Sequence, residues 1–270
     1  MDNNKGDILI QAQDLRKSFE VGSGTVEVLK GINLTIKKGQ FVIIFGPSGC
    51  GKSTLLHTLL GLEAPTSGKI LMEGKDFYGM TEDERSTYRR HNVGMIYQQA
   101  LWVSSFNVFE NVAFPMYLVD AEPAKIQQKV TESLTKVGMQ DWANYVPTEL
   151  SSGQQQKISL ARSIMIDPSV IVADEPTGNL DTVSGQELIK MFMDLVEQGK
   201  TIIMITHDLE YLKYATNIFH VVDGLVVEEY SPKKKYKMEM SNMGKKEIKG
   251  GSQKFESNVR DTDFLKKLNL

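Results

Sequence analysis

Cysteine is nearly absent: Cys50 is the single one in 270 residues. One thiol excludes an internal disulfide and any cysteine-rich zinc site, and it fits a reducing compartment. Long hydrophobic runs are missing too. No apolar stretch approaches the ~20 residues that span a bilayer. The longest runs, at residues 42–45, 170–173 and 202–205, have the length of buried strands. The first eleven residues carry no basic segment followed by an apolar one, so no signal peptide is expected. Neither sign of charge dominates: 31 Lys and Arg against 34 Asp and Glu leave −3, with no global pull toward nucleic acid or anionic lipid. Internal repeats and long heptad stretches are also lacking. What remains is ordinary globular composition, with 41% hydrophobic residues, 22 Gly and 8 Pro, which excludes collagen-like and wholesale disordered chains. The length suits one large domain or two intimate ones with a sizeable core.

Strand-like and helix-like segments alternate. Residues 41–45 are apolar and β-branched, followed by a Gly-rich turn and a helical stretch at 52–62. Residues 170–173 and 201–206 predict further strands. Between them, 184–198 predicts an amphipathic helix with Leu188, Met191, Phe192 and Leu195 on one face. This rhythm predicts an α/β fold with a largely parallel sheet covered on both faces. The start differs: 8–19 and 26–36 predict antiparallel strands with a turn at 22–24. Residues 81–166 are more helical and polar, with Ile126, Val130, Leu134 and Val137 at helical spacing. They predict a helical subdomain inserted between two parts of the core. The organisation expected is one domain over 1–230, with the helical insert at 90–165, and a Lys-rich tail over 231–270. That tail reads as solvated and mobile, or alternatively as a basic strip for anionic lipid or a partner.

Gly46-Pro47-Ser48-Gly49-Cys50-Gly51-Lys52-Ser53 fits the phosphate-loop pattern, between a predicted strand and a predicted helix. Glycines let backbone N–H groups close around phosphate oxygens, and the helix start adds unpaired N–H groups and positive potential. Lys52 supplies a cation for the β- and γ-phosphates, Ser53 a hydroxyl for Mg²⁺, and Thr54 a further phosphate hydrogen bond. Cys50, inside the loop, is either a thiol whose alkylation blocks nucleotide binding or a small inert filler. A second element ends the strand at 170–173 in Asp174-Glu175. Adjacent carboxylates at the end of a buried strand are costly without a task. Asp174 is placed to reach the Mg²⁺ shell, and Glu175 to orient and deprotonate an attacking water. His207 closes the strand at 201–206. A lone histidine is more often structural, yet the end of a parallel strand is where ligands of such sheets gather. His57 reads as structural, and His91 and His220 carry no signal.

Leu150-Ser151-Ser152-Gly153-Gln154 stands between these elements. With the phosphate loop and the Asp-Glu strand, it resembles the signature of the ATP-binding-cassette (ABC) ATPases, usually LSGGQ. The resemblance covers residues 8–229. It implies a phosphate-loop cassette: a RecA-like, mostly parallel core, an antiparallel β subdomain and an inserted helical subdomain. Gln98 looks like the Q-loop glutamine, a Mg²⁺ ligand that also senses the transporter contact. Leu180-Asp181 looks like the D-loop, His207 like the switch histidine, and Phe19 like the aromatic that stacks on adenine. Ser53, Gln98 and Asp174 are then the Mg²⁺ set, and Glu175, His207 and Lys52 the catalytic set. The signature residues Ser151, Ser152, Gly153 and Gln154 complete the ATP site of a second subunit, so the implied form is a head-to-tail pair around two ATP molecules. Two departures stand out: Ser152 replaces the first of the usual glycines, and Lys157 a common arginine. Residues 173–181 are similar to cassettes of macrolide-efflux and lipoprotein-releasing systems and of the cell-division cassette. That similarity implies a separate membrane permease of the FtsX or MacB kind and a cytoplasmic site peripheral to the inner face of the membrane; the slightly acidic balance and the lack of long heptads point to no nucleic-acid partner. Trp102, Val103 and Phe106, beside Gln98, read either as contacts for that permease or as part of the chain's own core. A soluble cassette acting on ribosomes or nucleic acid, an importer cassette, and a slow regulatory module are the competing readings.

Overall fold

The computed structural model describes residues 7–231; the Lys-rich tail expected beyond them lies outside the described residues. The chain opens with two long strands, β1 (Ile8–Val21) and β2 (Gly24–Lys37), paired antiparallel around a tight turn. β3 (Phe41–Phe45) leads through the glycine loop into α1 (Lys52–Leu59). β4 (Ser67–Met72) and β5 (Lys75–Asp76) return to the antiparallel sheet, whose order is β2-β1-β4-β5. Then come α2 (Glu82–Asn92), β6 (Val93–Ile96), α3 (Val108–Tyr117), α4 (Pro123–Lys136) and α5 (Ser152–Ser163). β7 (Val170–Asp174), α6 (Thr182–Glu197), β8 (Thr201–Thr206), a 3-10 segment (Leu209–Tyr214), β9 (Asn217–Val222) and β10 (Leu225–Tyr230) complete the order. The second sheet runs β10-β9-β3-β8-β7-β6. All its pairs are parallel except the β9–β10 hairpin at one edge.

The central strands are apolar throughout because both faces of this sheet are covered. Phe41, Ile43 and Phe45 of β3 and Ile202 and Met204 of β8 face a core shared with α3–α6. Val42, Ile44, Ile203 and Ile205 point the other way, into a core shared with α1 and the antiparallel sheet. The period of two along each strand thus sorts residues between two cores. Helices α1 and α5 consequently lie on opposite faces of the parallel sheet.

Val93–Ile96, inside the stretch read as a helical insert, is a core strand paired in parallel with β7. Its four residues, one of them Gly94, are too few for a periodic signal. Gly94 is explained by packing, since a Cβ there would collide with the Ser163 carbonyl at the end of α5. Helix α1 is shorter than expected: it ends at Leu59 and the chain leaves through Gly61 at φ 70°.

Candidate nucleotide site

The loop after β3 is shaped by its glycines. A Cβ on Gly46 would collide with the Val221 carbonyl, so the loop reaches the sheet only as glycine. Gly51, at φ 101°, caps α1 with no side-chain hydrogen bond. The first N–H groups of the helix are therefore left for a ligand. The Lys52 side chain is buried, and its ammonium donates to the Gly46 and Pro47 carbonyls at 2.8 and 2.9 Å. The cation sits in the middle of the loop while Pro47, Ser48, Gly49 and Ser53 stay exposed and Thr54 half-buried. Cys50 points inward, 5% exposed, in the core with Leu55 and Leu29, and burial pushes its thiol pKa up. Of its two readings, the structure favours the inert filler.

The ends of β7 and β8 bring the acids and the histidine together. Glu175 adopts φ 47°, an uncommon conformation for a residue with a side chain. Its N–H donates to the Ile205 carbonyl at 3.0 Å, which ties this turn to β8. Its carboxylate lies 2.5 Å from His207 Nδ1. Glu175 is largely shielded and His207 mostly exposed. Asp174 Oδ1 is buried and has no hydrogen-bond partner among the described residues. A buried carboxylate oxygen in that state suits a hard cation. Among the described residues, no cluster of three or more His, Cys, Asp or Glu side chains forms a self-contained metal site. The buried, unpartnered Asp174 oxygen fits Mg²⁺, which takes one or two protein oxygens and completes its shell from phosphates and water.

The signature segment starts α5. Ser151 caps the helix: its hydroxyl accepts from the Gln154 N–H at 3.3 Å, and Gln154 Oε1 accepts from the Ser151 N–H at 3.0 Å. Ser152 is the first helical residue and exposed, a place where a small side chain meets no obstacle within the chain. Gly153 is different, since a Cβ there would stand 2.9 Å from Ser184 Oγ. Lys157 pairs with Glu187 at 2.7 Å. Asp181 caps α6: its carboxylate accepts from the Val183 and Ser184 N–H groups and, at 2.7 Å, from the Ser184 hydroxyl. The bonds from Ser184 hold that carboxyl below its usual range.

Gln98 is exposed at the end of the β6 turn, its amide beside Gly178. The strap that carries it is laced to α5. Gln156, 4% exposed, donates from Nε2 to the Tyr97 and Gln98 carbonyls, both at 3.0 Å. Gln155 accepts from the Trp102 indole at 2.9 Å. Arg162 donates to the Leu101 carbonyl at 2.6 Å and stacks over the Trp102 ring. Trp102 thus packs on its own chain. Phe106 stands edge-on to the exposed Phe114. Phe19 is half-buried, with the Lys17 ammonium 4.8 Å above its ring. The sequence reading missed Gln155, Gln156, Arg162, Lys17 and Ser184. Only the paired glutamines after the signature offered a signal.

Residues 29–178, more than half of the chain, match the family model described as "ABC transporter". An ABC transporter ATP-binding protein of Methanocaldococcus jannaschii is 42% identical over 220 residues, which are 82% of this chain and 98% of that protein. The macrolide export ATP-binding/permease protein MacB of Bartonella henselae is 38% identical over 229 residues; these are 85% of this chain and 35% of MacB, so the chain spans about a third of that relative. Among solved structures, the dimeric ATP-binding cassette MJ0796, bound to ADP and Pi in a post-hydrolysis state, is similar at a TM-score of 0.78 and 31% identity. That alignment covers 83% of this chain and 98% of MJ0796. Fold, motif order and relatives agree, and this chain belongs to the family of ABC transporter ATP-binding cassettes.

Proposed function

We propose that the chain is the ATP-hydrolysing subunit of an ABC transporter, working as a head-to-tail pair that drives a separate membrane permease. The observation that carries this reading is the Glu175–His207 pair, held at the ends of adjacent strands by a strained turn. It stands at the sheet edge that also bears the phosphate loop and Lys52. Phe19 stacks on the base, Gly46–Thr54 cradle the phosphates, and Lys52 turns from its loop carbonyls to the β- and γ-phosphates. Ser53, Gln98 and Asp174 hold Mg²⁺, which when bound neutralises charge on the phosphate oxygens. Glu175 orients a water in line with the γ-phosphorus and accepts its proton as the new P–O bond forms and the bond to the β-phosphate oxygen breaks. His207 steadies the γ-phosphoryl oxygens as charge shifts toward ADP.

Helix α5 lies on the face of the parallel sheet opposite α1. This supports an assignment of Ser151, Ser152, Gly153 and Gln154 to the site of the second subunit, with Asp181 at the junction between the two. The pairing is then a C₂ arrangement with two composite sites. No helix among the described residues is long and apolar enough to cross a membrane. The likeness of residues 173–181 to cassettes of macrolide-efflux and lipoprotein-releasing systems supports a permease of the FtsX or MacB kind as the bearer of the membrane spans. The chain would then sit at the inner face of the membrane, bound through the permease. With Trp102 engaged by α5, the docking face shifts to the exposed Phe114, Tyr117 and Leu118 of the α3 end. They adjoin a cleft of ≈ 570 Å³ lined by His91, Met116, Val119 and Lys125.

The test is retrieval of tagged Glu175→Gln chain from native membranes in mild detergent with ATP. A stoichiometric permease with four membrane spans and a large outer domain supports the reading, and a many-span permease moves the system toward importers. Recovery with ribosomes and no membrane protein overturns it.

A further inference from the structure

The segment after His207 and the first turn of α6 meet at a point that the mechanism above leaves unused. Gly185 is the fourth residue of α6 and is buried, in helical backbone where glycine is less stable than alanine. The reason for glycine is spatial. A Cβ at this position would overlap the Tyr211 hydroxyl, whereas the ring carbon Cζ would stand at 3.5 Å and Thr177 Cγ2 at 3.8 Å, both ordinary contacts. Tyr211 is 4% exposed and belongs to the 3-10 segment that follows His207-Asp208. One residue further along α6, Gln186 Nε2 donates to Glu210 Oε1 at 3.0 Å. Two successive residues of α6 therefore meet two successive residues of the segment behind His207. The same helical turn holds Asp181 and Ser184, joined at 2.7 Å, and Ser184 packs against Gly153 of the signature.

We propose that Tyr211 is a positioning residue whose hydroxyl, lodged in the notch left by Gly185, sets the first turn of α6, and with it Asp181, relative to His207. The inference rests on the functional reading above. Asp208 strengthens the linkage at its other end: its N–H donates to Thr206 Oγ1 at 3.0 Å and its carboxylate accepts from the Glu210 N–H at 2.9 Å. Displacement of His207 on meeting a γ-phosphate would thus pass through Glu210 and Tyr211 to residues 177–184, the turn that faces the second subunit. One site would sense the state of the other through this contact.

Three variants test it in purified full-length chain: Gly185→Ala, Tyr211→Phe, and the two combined. Each is also made in the Glu175→Gln background, where ATP-induced dimer is measured by light scattering. Gly185→Ala should lose kcat by at least about tenfold through misplacement of Asp181. Its KM for ATP should stay near that of the parent, and its dimer should weaken. The double variant removes the hydroxyl and leaves the ring in ordinary contact with the new methyl, so it should regain most of kcat and of the dimer. Recovery of melting temperature without recovery of kcat and dimer overturns the inference, because it would make the contact packing alone. Should Gly185→Ala not fold, Tyr211→Leu empties the notch without adding atoms there. A Tyr211→Leu chain with parental kcat and dimerisation overturns the inference as well. A Glu175→Gln parent that fails to dimerise with ATP overturns the functional reading and the inference together. A parent that dimerises no better than its Gly185→Ala derivative overturns the inference alone.

Discussion

Glu175 carries two duties at one residue. Its backbone at φ 47° turns the chain out of β7, and its carboxylate meets His207 at 2.5 Å. Replacement by glutamine keeps the shape and removes the carboxylate proposed as the base. Glu175→Gln should bind ATP as tightly as the parent while turnover falls by about 10²–10⁴-fold; a filter-binding assay beside phosphate release separates the two effects. Lys52→Ala should instead lose ATP binding, since its ammonium is the one buried cation in the loop. Cys50 gives a third expectation at this scale. Its thiol is 5% exposed with its pKa pushed up by burial, so the thiolate, the reactive form, is scarcer at neutral pH than for a free cysteine. Mass spectrometry should find iodoacetamide labelling of the folded chain far slower than that of the urea-unfolded chain. The rate should still be climbing with pH where an ordinary thiol has levelled off. Rapid labelling at pH 7 would place Cys50 on the loop surface.

Among the elements, α5 joins what the sequence kept apart. It presents Ser151 at its start and grips the strap of Gln98 through Gln155, Gln156 and Arg162. Gln156→Leu removes the two hydrogen bonds from Nε2 to the Tyr97 and Gln98 carbonyls, each worth about 0.5–1.5 kcal/mol. It should also free the strap, raising the Mg²⁺ concentration needed for half-maximal turnover while ATP binding holds. Trp102 sits on that strap, so in a Trp142→Phe background its emission should shift to the red in Gln156→Leu; unchanged emission would mean that the strap is held by other contacts. Asp181 provides a pH-dependent counterpart in α6. Its carboxyl pKa is lowered in the fold, so the stabilisation is present above the unfolded carboxylate pKa and is lost as pH falls through the folded one. The melting-temperature gap between parent and Asp181→Ala should therefore close in acid. The loop, the Asp-Glu strand and the signature were legible because their residue types are fixed by chemistry at short spacing. β6 was not, because four residues with a glycine carry no periodicity. Nor was the lacing of the strap, where Gln156 and Tyr97 lie far apart in sequence and meet only through antiparallel packing of α5 on β6. Trp102 stayed open between two readings for the same reason: an aromatic beside Gln98 is equally compatible with a docking surface and with a partner for Arg162, and the structure favours the second.

At the scale of the whole molecule, the two cores decide how an ATP site is completed. α1 belongs to one core and α5 to the other, on opposite faces of the parallel sheet. On the proposed reading, a phosphate held at α1 is then served by the signature of a second copy. That geometry makes a mixing experiment decisive. Lys52→Ala damages the phosphate loop and leaves the signature intact. Ser152→Glu does the reverse: residue 152 is exposed at the first helical position, where an acid suits the helix start but repels the γ-phosphate of the opposing subunit. Each variant alone should be inactive. When they are mixed in equal amounts, each hybrid dimer contains one site with both halves intact, so activity should recover to as much as about a quarter of the parental value if the two sites fire independently. Recovery below that level would measure how far each site depends on the other, the dependence assigned above to Tyr211. Complete absence of recovery, with hybrid dimers present by native mass spectrometry, would mean that loop and signature act within one chain, and the head-to-tail arrangement would fall.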